Sequence, residues 1–211
     1  MAQLDRRESP DMTYASTSAD IVVSIARTAA DREACLALRY RVYIEEMKCS
    51  APTADHARSL DSTAEDDHAI HVGAWIGGDL IATLRIFHGA RGFPESFVEH
   101  AQAALRSGNL LRFRKFAGTI PSQVAVISRL AIDPGHRGGA AIISLFREAF
   151  RLVMEQQPQT TLIFILAMDN PRLLALYRML GFERLDEDLL YPSDLGPTVP
   201  MFAHVNARSG P

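Results

Sequence analysis

Apolar residues occur in short runs separated by polar segments, and the spacing within the runs predicts alternating strands and helices. Residues 21–27 (IVVSIAR) are rich in β-branched side chains and predict a strand. Residues 28–48 show mostly apolar helical spacing, with Thr28 or Asp31 as the N-cap. The polar residues 49–67 have few large apolar side chains, which predicts a loop or a lid.

A β-hairpin is predicted after this loop. Apolar runs at 69–76 and 80–87 flank the turn Gly77-Gly78-Asp79, where glycine supplies the positive φ that a tight turn needs. Residues 94–109 predict a helix, and 110–122 predict a connector with basic residues between aromatic ones.

The C-terminal half again alternates strands with helices. The predicted strands are 123–132, 160–168, 182–185 and 199–205, and the predicted helices are 138–156 and 169–180. The strand at 160–168 (TTLIFILAM) is almost wholly apolar, as a strand buried on both faces should be. Asn170 is the expected N-cap of the last helix, with Pro171 as its first residue. This order of elements predicts a mixed α/β sheet with helices on both faces.

Composition narrows the possible classes of protein. The 211 residues fit one domain over 20–206, preceded by a polar, flexible tail at 1–19. The net charge of −3 gives no reason to expect a nucleic-acid partner. Cys35 and Cys49 are too few for a disulfide scaffold, and no cysteine–histidine cluster has zinc spacing. Both cysteines are therefore expected to be thiols in a reducing cytoplasm, and no metal is expected. No apolar run approaches the ~20 residues that a membrane helix needs.

The turn between the strand at 123–132 and the helix at 138–156 suggests phosphate binding. Its sequence, DPGHRGGA, offers backbone N–H groups at the positive end of a helix dipole. Gly138 and Gly139 allow a ligand to approach the backbone, and Arg137 adds a charged donor. The alternative is a turn whose glycines serve only its conformation.

A second segment, DNPRLLALYRMLGF, strengthens the first interpretation. Asn170 and Tyr177 lie two helical turns apart, after the strand predicted to run parallel to 123–132. The carboxyl ends of adjacent parallel strands form a crevice that both side chains can face. There a tyrosine hydroxyl can protonate a leaving thiolate, and the alternative for Tyr177 is a packed aromatic residue.

These two segments together resemble the GNAT acyltransferase superfamily, and the resemblance extends over about 21–205. It implies a mostly antiparallel sheet splayed at two central parallel strands, and a pantetheine arm laid along the central strand. The residues that it implies for cofactor binding are Leu130, Ala131, Ile132, Arg137, Gly138, Gly139, Ala140 and Asn170. It also implies that Tyr177 is the acid toward the thiol.

Two residues depart from the superfamily pattern. Ala140 and Ile142 stand where glycines are usual, so backbone access is reduced and β-branched bulk is expected beside the turn. This departure favours a long-chain donor, or a lost CoA site, over ordinary acetyl transfer.

Three more segments, LRYRVYIEEMK, IATLRI and ISRLAI, are similar to the N-acyl amino acid synthase and acyl-homoserine-lactone synthase branch. The matched positions are Arg39, Tyr43, Arg85, Ser128 and Arg129, of which all but Ser128 would bind the acceptor. Lactone synthases commonly have Glu three residues before the last arginine. Here that residue is Val126, which argues against a lactone product. The branch uses long acyl chains on acyl carrier protein or CoA.

A basic patch could serve such a donor: Arg112, Arg114 and Lys115 could dock an acidic carrier protein, although a solvated edge is the alternative. The arginines also have an alternative role, in which Arg39, Arg85 and Arg129 form a buried ion-pair lattice. Its carboxylate partners would be Asp61, Asp66 or Glu46.

The resulting mechanism is direct attack of an amine on a thioester. Backbone N–H groups of 124–128, including Ser128, stabilise the oxyanion, through a bulge in the strand. The base is Glu46, His71 or a water chain, and Tyr177 protonates the thiolate. The rivals are a conventional acetyl-CoA-dependent N-acetyltransferase and a binding module without turnover. The acceptor is an amino acid or another small amine.

Overall fold

The computed structural model describes residues 21–50, 54–89, 123–137, 139–185, 190–193 and 196–205. Its strands are β1 (Val22–Ile25), β2 (Ile70–Ile76), β3 (Asp79–His88), β4 (Val124–Ile132), β5 (Leu162–Met168), β6 (Glu183–Arg184), β7 (Tyr191–Ser193) and β8 (Gly196–His204). Its α-helices are α1 (Ala29–Tyr40), α2 (Ala140–Gln156) and α3 (Pro171–Met179). A π-helical segment (Arg41–Glu46) continues α1, and short 3₁₀ helices cover Ala64–His68 and Pro134–His136.

The strands form one mixed sheet in the order β1-β2-β3-β4-β5-β8-β6, with β7 paired to β8. Among the described strands β4 and β5 form the parallel pair, and the other pairings are antiparallel. The parallel ladder joins Val124–Ile127 to Leu162–Ile165 and ends there, although both strands continue. The predicted splay between two central parallel strands is therefore confirmed.

Helices cover both faces of the sheet, as the sequence predicts. Leu84 of β3 belongs to the same core cluster as Leu145 of α2 and Ile163 of β5. The next residue along β3, Arg85, points to the opposite face and shares Asp66 with Arg39 of α1. Because successive side chains of a strand alternate between faces, α1 and α2 lie on opposite sides.

Local sequence accounts for where the helices begin. Thr28 is the N-cap of α1, and it forms a reciprocal capping box with Asp31. Of the two N-cap candidates, Thr28 is therefore the cap and Asp31 is its capping-box partner. Asn170 caps α3 by accepting hydrogen bonds from the N–H groups of Arg172 and Leu173, and Pro171 follows as predicted.

Some expectations were incomplete, and others concern residues outside the described ranges. The helix predicted over 28–48 changes to a π-helix after Tyr40, and the sequence did not predict β7. The predicted helix 94–109 and the basic patch of Arg112, Arg114 and Lys115 lie outside the described residues. None of the described helices is both long and apolar enough to cross a membrane.

Candidate active site

The splayed end of β4 is the centre of the candidate site. A β-bulge places Arg129 and Leu130 opposite the single residue Leu84 of β3, and Arg129 has a φ of 53°. Residues Val124–Ile127 pair with β5. Beyond Ile127 the two strands no longer pair, and the edge of β4 borders the gap between β4 and β5. Of residues 124–128, which were expected to supply the oxyanion donors, only Ser128 lies beyond the ladder to β5. The oxyanion role stays a prediction.

Two side chains fix the bulge from outside the strand. Ser128 Oγ accepts a hydrogen bond from Arg85 Nε at 2.9 Å, and Tyr43 donates its hydroxyl to the Leu130 carbonyl at 2.6 Å. The guanidinium of Arg129 lies 5.8 Å from the centre of the Tyr43 ring. Burial raises the pKa of Tyr43 to about 12, so its hydroxyl keeps its proton.

The arginines of α1 and β3 form the buried lattice that the sequence left as an alternative. Arg39 is 1% exposed, and its guanidinium donates to Asp61 at 2.9 Å and to Asp66 at 2.7 and 3.2 Å. Arg85 is 3% exposed and donates through Nη1 to Asp66 at 2.8 Å. It also donates hydrogen bonds to Thr63, Glu65 and Ser128.

Both guanidinium groups are buried and engaged by protein oxygens, so the lattice accounts for Arg39 and Arg85 without an acceptor. Their role in binding the acceptor stays a prediction. Glu46 is not a member of the lattice. Thr63 and Glu65 were not singled out from the sequence, although the spacing Thr63-x-x-Asp66 is a capping-box signature that the structure bears out. Arg129 differs from the other two arginines, since its side chain is 14% exposed and its Nη1 lies 3.7 Å from Asp61.

Tyr177 lies in an aromatic cluster. Its ring makes edge-on contacts with Phe146 and Phe182, at centroid distances of 5.7 and 5.9 Å. Burial, with a smaller contribution from Tyr43, raises the pKa of Tyr177 well above its ordinary value. The hydroxyl is therefore buried and protonated, and it has no hydrogen-bond partner among the described residues.

The turn before α2 has the features expected of an anion site. Gly139 is the N-cap with a φ of 92° and supplies no side-chain cap, so the first N–H groups of α2 remain uncapped. Ala140 is exposed, whereas Ile142 is 2% exposed within the main core. The expectation that Ile142 adds bulk beside the turn is therefore wrong. Gly138 lies outside the described residues.

The remaining predicted cofactor residues occupy the same edge. Ala131 and Ile132 continue β4 and pair with Thr83 and Ala82, so they follow the bulge along the gap. Asn170 uses its amide oxygen to cap α3, which leaves only its NH₂ group for a ligand.

The two side chains proposed as bases are poorly suited to that role. Glu46 accepts two hydrogen bonds from Arg137, which hold the pKa of its carboxyl below the ordinary value. His71 is buried on β2, and β3 separates it from β4. Burial also lowers the pKa of His71. Among the described residues, no group of acidic, histidine or cysteine side chains could hold a metal ion.

Comparison with known proteins identifies the family and agrees with the fold. The family model described as N-acyl amino acid synthase FeeM matches residues 34–204. The solved FeeM synthase from uncultured soil microbes is 20% identical, with a TM-score of 0.62 over 88% of this chain and 91% of that chain. An acyl-CoA N-acyltransferase from Pseudomonas aeruginosa is 22% identical, with a TM-score of 0.56 over 87% and 98%.

A CoA-dependent acyl-homoserine lactone synthase, BjaI, is 16% identical, with a TM-score of 0.65 over 88% of this chain and 83% of that chain. At these identities the structural similarities establish the fold alone. No curated protein sequence matches the chain. Because the family model covers well over half of the sequence, the chain belongs to the FeeM family of N-acyl amino acid synthases and is an acyltransferase of GNAT fold.

Proposed function

We propose that this enzyme transfers a medium or long acyl group from a thioester, carried on acyl carrier protein or CoA, to the amine of an amino acid or a related small molecule. The observation that carries the proposal is the edge of β4 beyond Ile127, where the ladder to β5 ends. An extended pantetheine arm can lie along such an edge as an added strand would.

The donor's phosphate groups would lie at the turn before α2. The uncapped N–H groups after Gly139 and the positive end of the helix dipole favour an anion. Arg137 is 42% exposed and supplies a guanidinium to the same turn. The basic patch of Arg112, Arg114 and Lys115 remains a predicted docking surface for a carrier protein.

The chemistry is proposed as a direct attack of the amine on the thioester carbonyl. The carbonyl carbon gains the C–N bond and its oxygen becomes an oxyanion, which backbone N–H groups beside the bulge at Arg129–Leu130 would stabilise. The tetrahedral intermediate then collapses, the C–S bond breaks, and the thiolate leaves. Because neither Glu46 nor His71 is well placed, the ammonium proton is assigned to a water chain.

Tyr177 would assist the departing thiolate. Its raised pKa keeps the phenol protonated at neutral pH. An ordinary thiol has a pKa of about 8.5, below that of a phenol, so full proton transfer from Tyr177 to sulfur is uphill. Tyr177 therefore acts first as a hydrogen-bond donor to the thiolate sulfur. Its proton moves to the sulfur as a proton from solvent restores the phenol.

Conventional acetyl transfer from acetyl-CoA is the second candidate, and one observation favours it. Ile142 points into the core and Ala140 is small and exposed, so the turn is less obstructed than the sequence suggested. A short-chain CoA donor would therefore meet no steric barrier from these two residues.

A donor panel distinguishes the two. The protein is incubated with acetyl, octanoyl and palmitoyl thioesters of CoA and of acyl carrier protein, with a pool of amino acids, and thiol release and N-acyl products are measured. We expect the longer chains to give the higher kcat/KM. Transfer of acetyl alone would refute the long-chain proposal, and no thiol release from any donor would refute catalysis.

The Tyr177→Phe variant tests the role of its hydroxyl. We expect kcat to fall at least 10-fold at every pH between 6 and 9, with little change in KM, because the phenol stays protonated throughout. Tyr40→Phe is the matched control, since its hydroxyl contacts His56 and not the gap. An unchanged kcat in Tyr177→Phe would exclude the assigned role.

A further inference from the structure

The π-helical segment after α1 reaches the donor turn through one ion pair. Both carboxylate oxygens of Glu46 accept hydrogen bonds from Arg137, with Nη1 at 2.6 Å and Nη2 at 2.5 Å. Nε of Arg137 also donates to the carbonyl of Ile132 at 3.2 Å. All three guanidinium nitrogens thus have protein partners before any donor is bound.

The π-helical geometry explains how Glu46 reaches this position. Within one turn of the segment, Tyr43 contacts Leu130 at the bulge and Glu46 contacts Arg137 beyond the end of β4. π-Helical turns are rare and frequently occur at functional sites. The segment therefore spans the edge of β4, with an uncharged contact at the bulge and a charged contact at the turn.

This ion pair has little value for the stability of the fold. The side chains of Arg137 and Glu46 are 42% and 39% exposed, so solvent and salt screen the pair. Even with its bidentate geometry we expect it to contribute no more than about 1 kcal/mol to stability. Its main effect is on ligands, because the Glu46 carboxylate occupies the face of Arg137 that a phosphate would use. A second carboxylate, Asp133, lies in the same turn beside His136.

We propose that Glu46 is a donor-specificity residue, whose carboxylate competes with donor phosphates for Arg137 and so disfavours CoA thioesters relative to carrier-protein thioesters. This inference rests on the proposed function, since it assumes that the donor's phosphates lie at the turn before α2. It assigns Glu46 a role in choosing the donor in place of the role of base.

The discrimination follows from the charges of the two donors. CoA brings a diphosphate and a further phosphate, whereas the arm on a carrier protein has a single phosphodiester. The negative charge of Glu46 repels the more highly charged donor more strongly. Losing the contact with Arg137 also costs the diphosphate of CoA more binding free energy than it costs the single phosphodiester. A carrier protein can recover binding energy over its own protein surface, which CoA lacks.

Direct binding tests the inference without relying on catalysis. Dissociation constants of CoA and of phosphate-free pantetheine are measured by calorimetry at fixed low salt for wild type, Glu46→Gln and Glu45→Gln. Glu45 is the matched control, because it is an exposed glutamate on the same segment and has no ion pair among the described residues. A further pair of proteins carries Arg137→Gln with and without Glu46→Gln.

We expect Glu46→Gln to bind CoA about 10-fold more tightly than wild type, which corresponds to about 1.4 kcal/mol. Pantetheine should bind all the proteins alike, and Glu45→Gln should change CoA binding less than 2-fold. Most of the gain should disappear when Arg137 is absent, because only the direct repulsion by Glu46 then remains to be removed. With acyl donors, the ratio of kcat/KM for acyl-CoA to that for the carrier-protein thioester should rise by a similar factor.

Other results would overturn the inference. Weaker CoA binding in Glu46→Gln would mean that Glu46 orients Arg137 for phosphate, and an equal gain in Glu45→Gln would mean a general charge effect. A fall in kcat with both donors and an unchanged dissociation constant would identify Glu46 as the base. If CoA binds wild type and Glu46→Gln equally, only this inference fails. If CoA binds none of the proteins, the proposed donor site fails with it.

Discussion

Asp66 is the carboxylate on which the buried lattice depends, and Asp66→Asn removes its charge with almost no change in shape. Its two oxygens accept hydrogen bonds from Arg39 at 2.7 and 3.2 Å and from Arg85 at 2.8 Å. The backbone N–H and hydroxyl of Thr63 contribute two more, at 2.8 and 3.2 Å. In the variant, an amide NH₂ replaces one acceptor and faces guanidinium donors.

The expected loss of stability can be estimated from burial and from the partners that remain. Arg39 and Arg85 are 1% and 3% exposed, so water cannot replace the lost carboxylate. Removing one partner of a buried pair typically costs about 3–5 kcal/mol. Asp61 still compensates Arg39 and Glu65 still compensates Arg85, so we expect the lower end, about 3 kcal/mol.

Urea unfolding at pH 7 measures this change, with the free energy of unfolding compared between wild type and variant. Asp67→Asn is the matched control, because Asp67 is the exposed neighbour of Asp66 in the same 3₁₀ helix. A surface change of this kind is expected to stay within about 0.5 kcal/mol. A loss in Asp66→Asn that does not exceed that of Asp67→Asn by 1 kcal/mol would refute the reasoning.

The stability lost in Asp66→Asn is expected to depend on pH. Burial opposes ionisation of Asp66, but the hydrogen bonds and charge of Arg39, with the charge of Arg85, hold the pKa well below its ordinary value. A carboxyl whose pKa is lower in the folded state stabilises the fold fully above the unfolded pKa of about 3.9 and loses this contribution as pH falls toward the folded value. The difference between wild type and Asp66→Asn should therefore shrink below about pH 4, and a difference that grows on acidification would contradict the assignment.

Two further predictions concern the aromatic cluster around Tyr177 and the contact of Tyr43 with β4. Phe182→Ala should lower the free energy of unfolding by about 3–5 kcal/mol, because its ring is 1% exposed in the aromatic cluster around Tyr177. Met179→Ala is the control, since that side chain is 78% exposed and its loss should cost almost nothing. Equal urea midpoints for the two variants would contradict this prediction. Tyr43→Phe should cost about 1–3 kcal/mol, since it removes the 2.6 Å hydrogen bond to the Leu130 carbonyl; a change below 0.5 kcal/mol would mean that water replaces the hydroxyl.

The order of the elements could be predicted because their apolar periods differ. The hairpin turn, the strand at 160–168 and the caps Thr28 and Asn170 each have a local cause in the residues themselves. The π-helix could not be predicted, because it adds one residue to a regular repeat without a change in composition. A bulge in β4 was expected from the proposed oxyanion site, but its position at Arg129–Leu130 could not be read from the residues. Position 129 has a φ of 53° but is an arginine, and not the glycine that would indicate such a conformation in the sequence.

The residue types of the site could also be predicted, but not all of their roles. An arginine near an expected crevice can bind a substrate carboxylate or a protein carboxylate with the same geometry. The choice depends on partners such as Asp61 and Asp66, which lie 22 and 27 residues from Arg39 in the sequence. Only the folded chain brings these partners together, so the alternatives for Arg39 and Arg85 had to remain open.

The lattice and the bulge nevertheless belong to one arrangement. Arg85 holds the side chain of Ser128 on one side of Arg129, and Tyr43 holds the carbonyl of Leu130 on the other. A non-glycine residue at positive φ persists only when its surroundings impose that conformation, and these two hydrogen bonds do so for Arg129. Arginines that the sequence assigned to the acceptor thus shape the strand edge where the thioester carbonyl would lie. We therefore expect lattice variants that remain folded to lose kcat before they lose affinity for the acceptor.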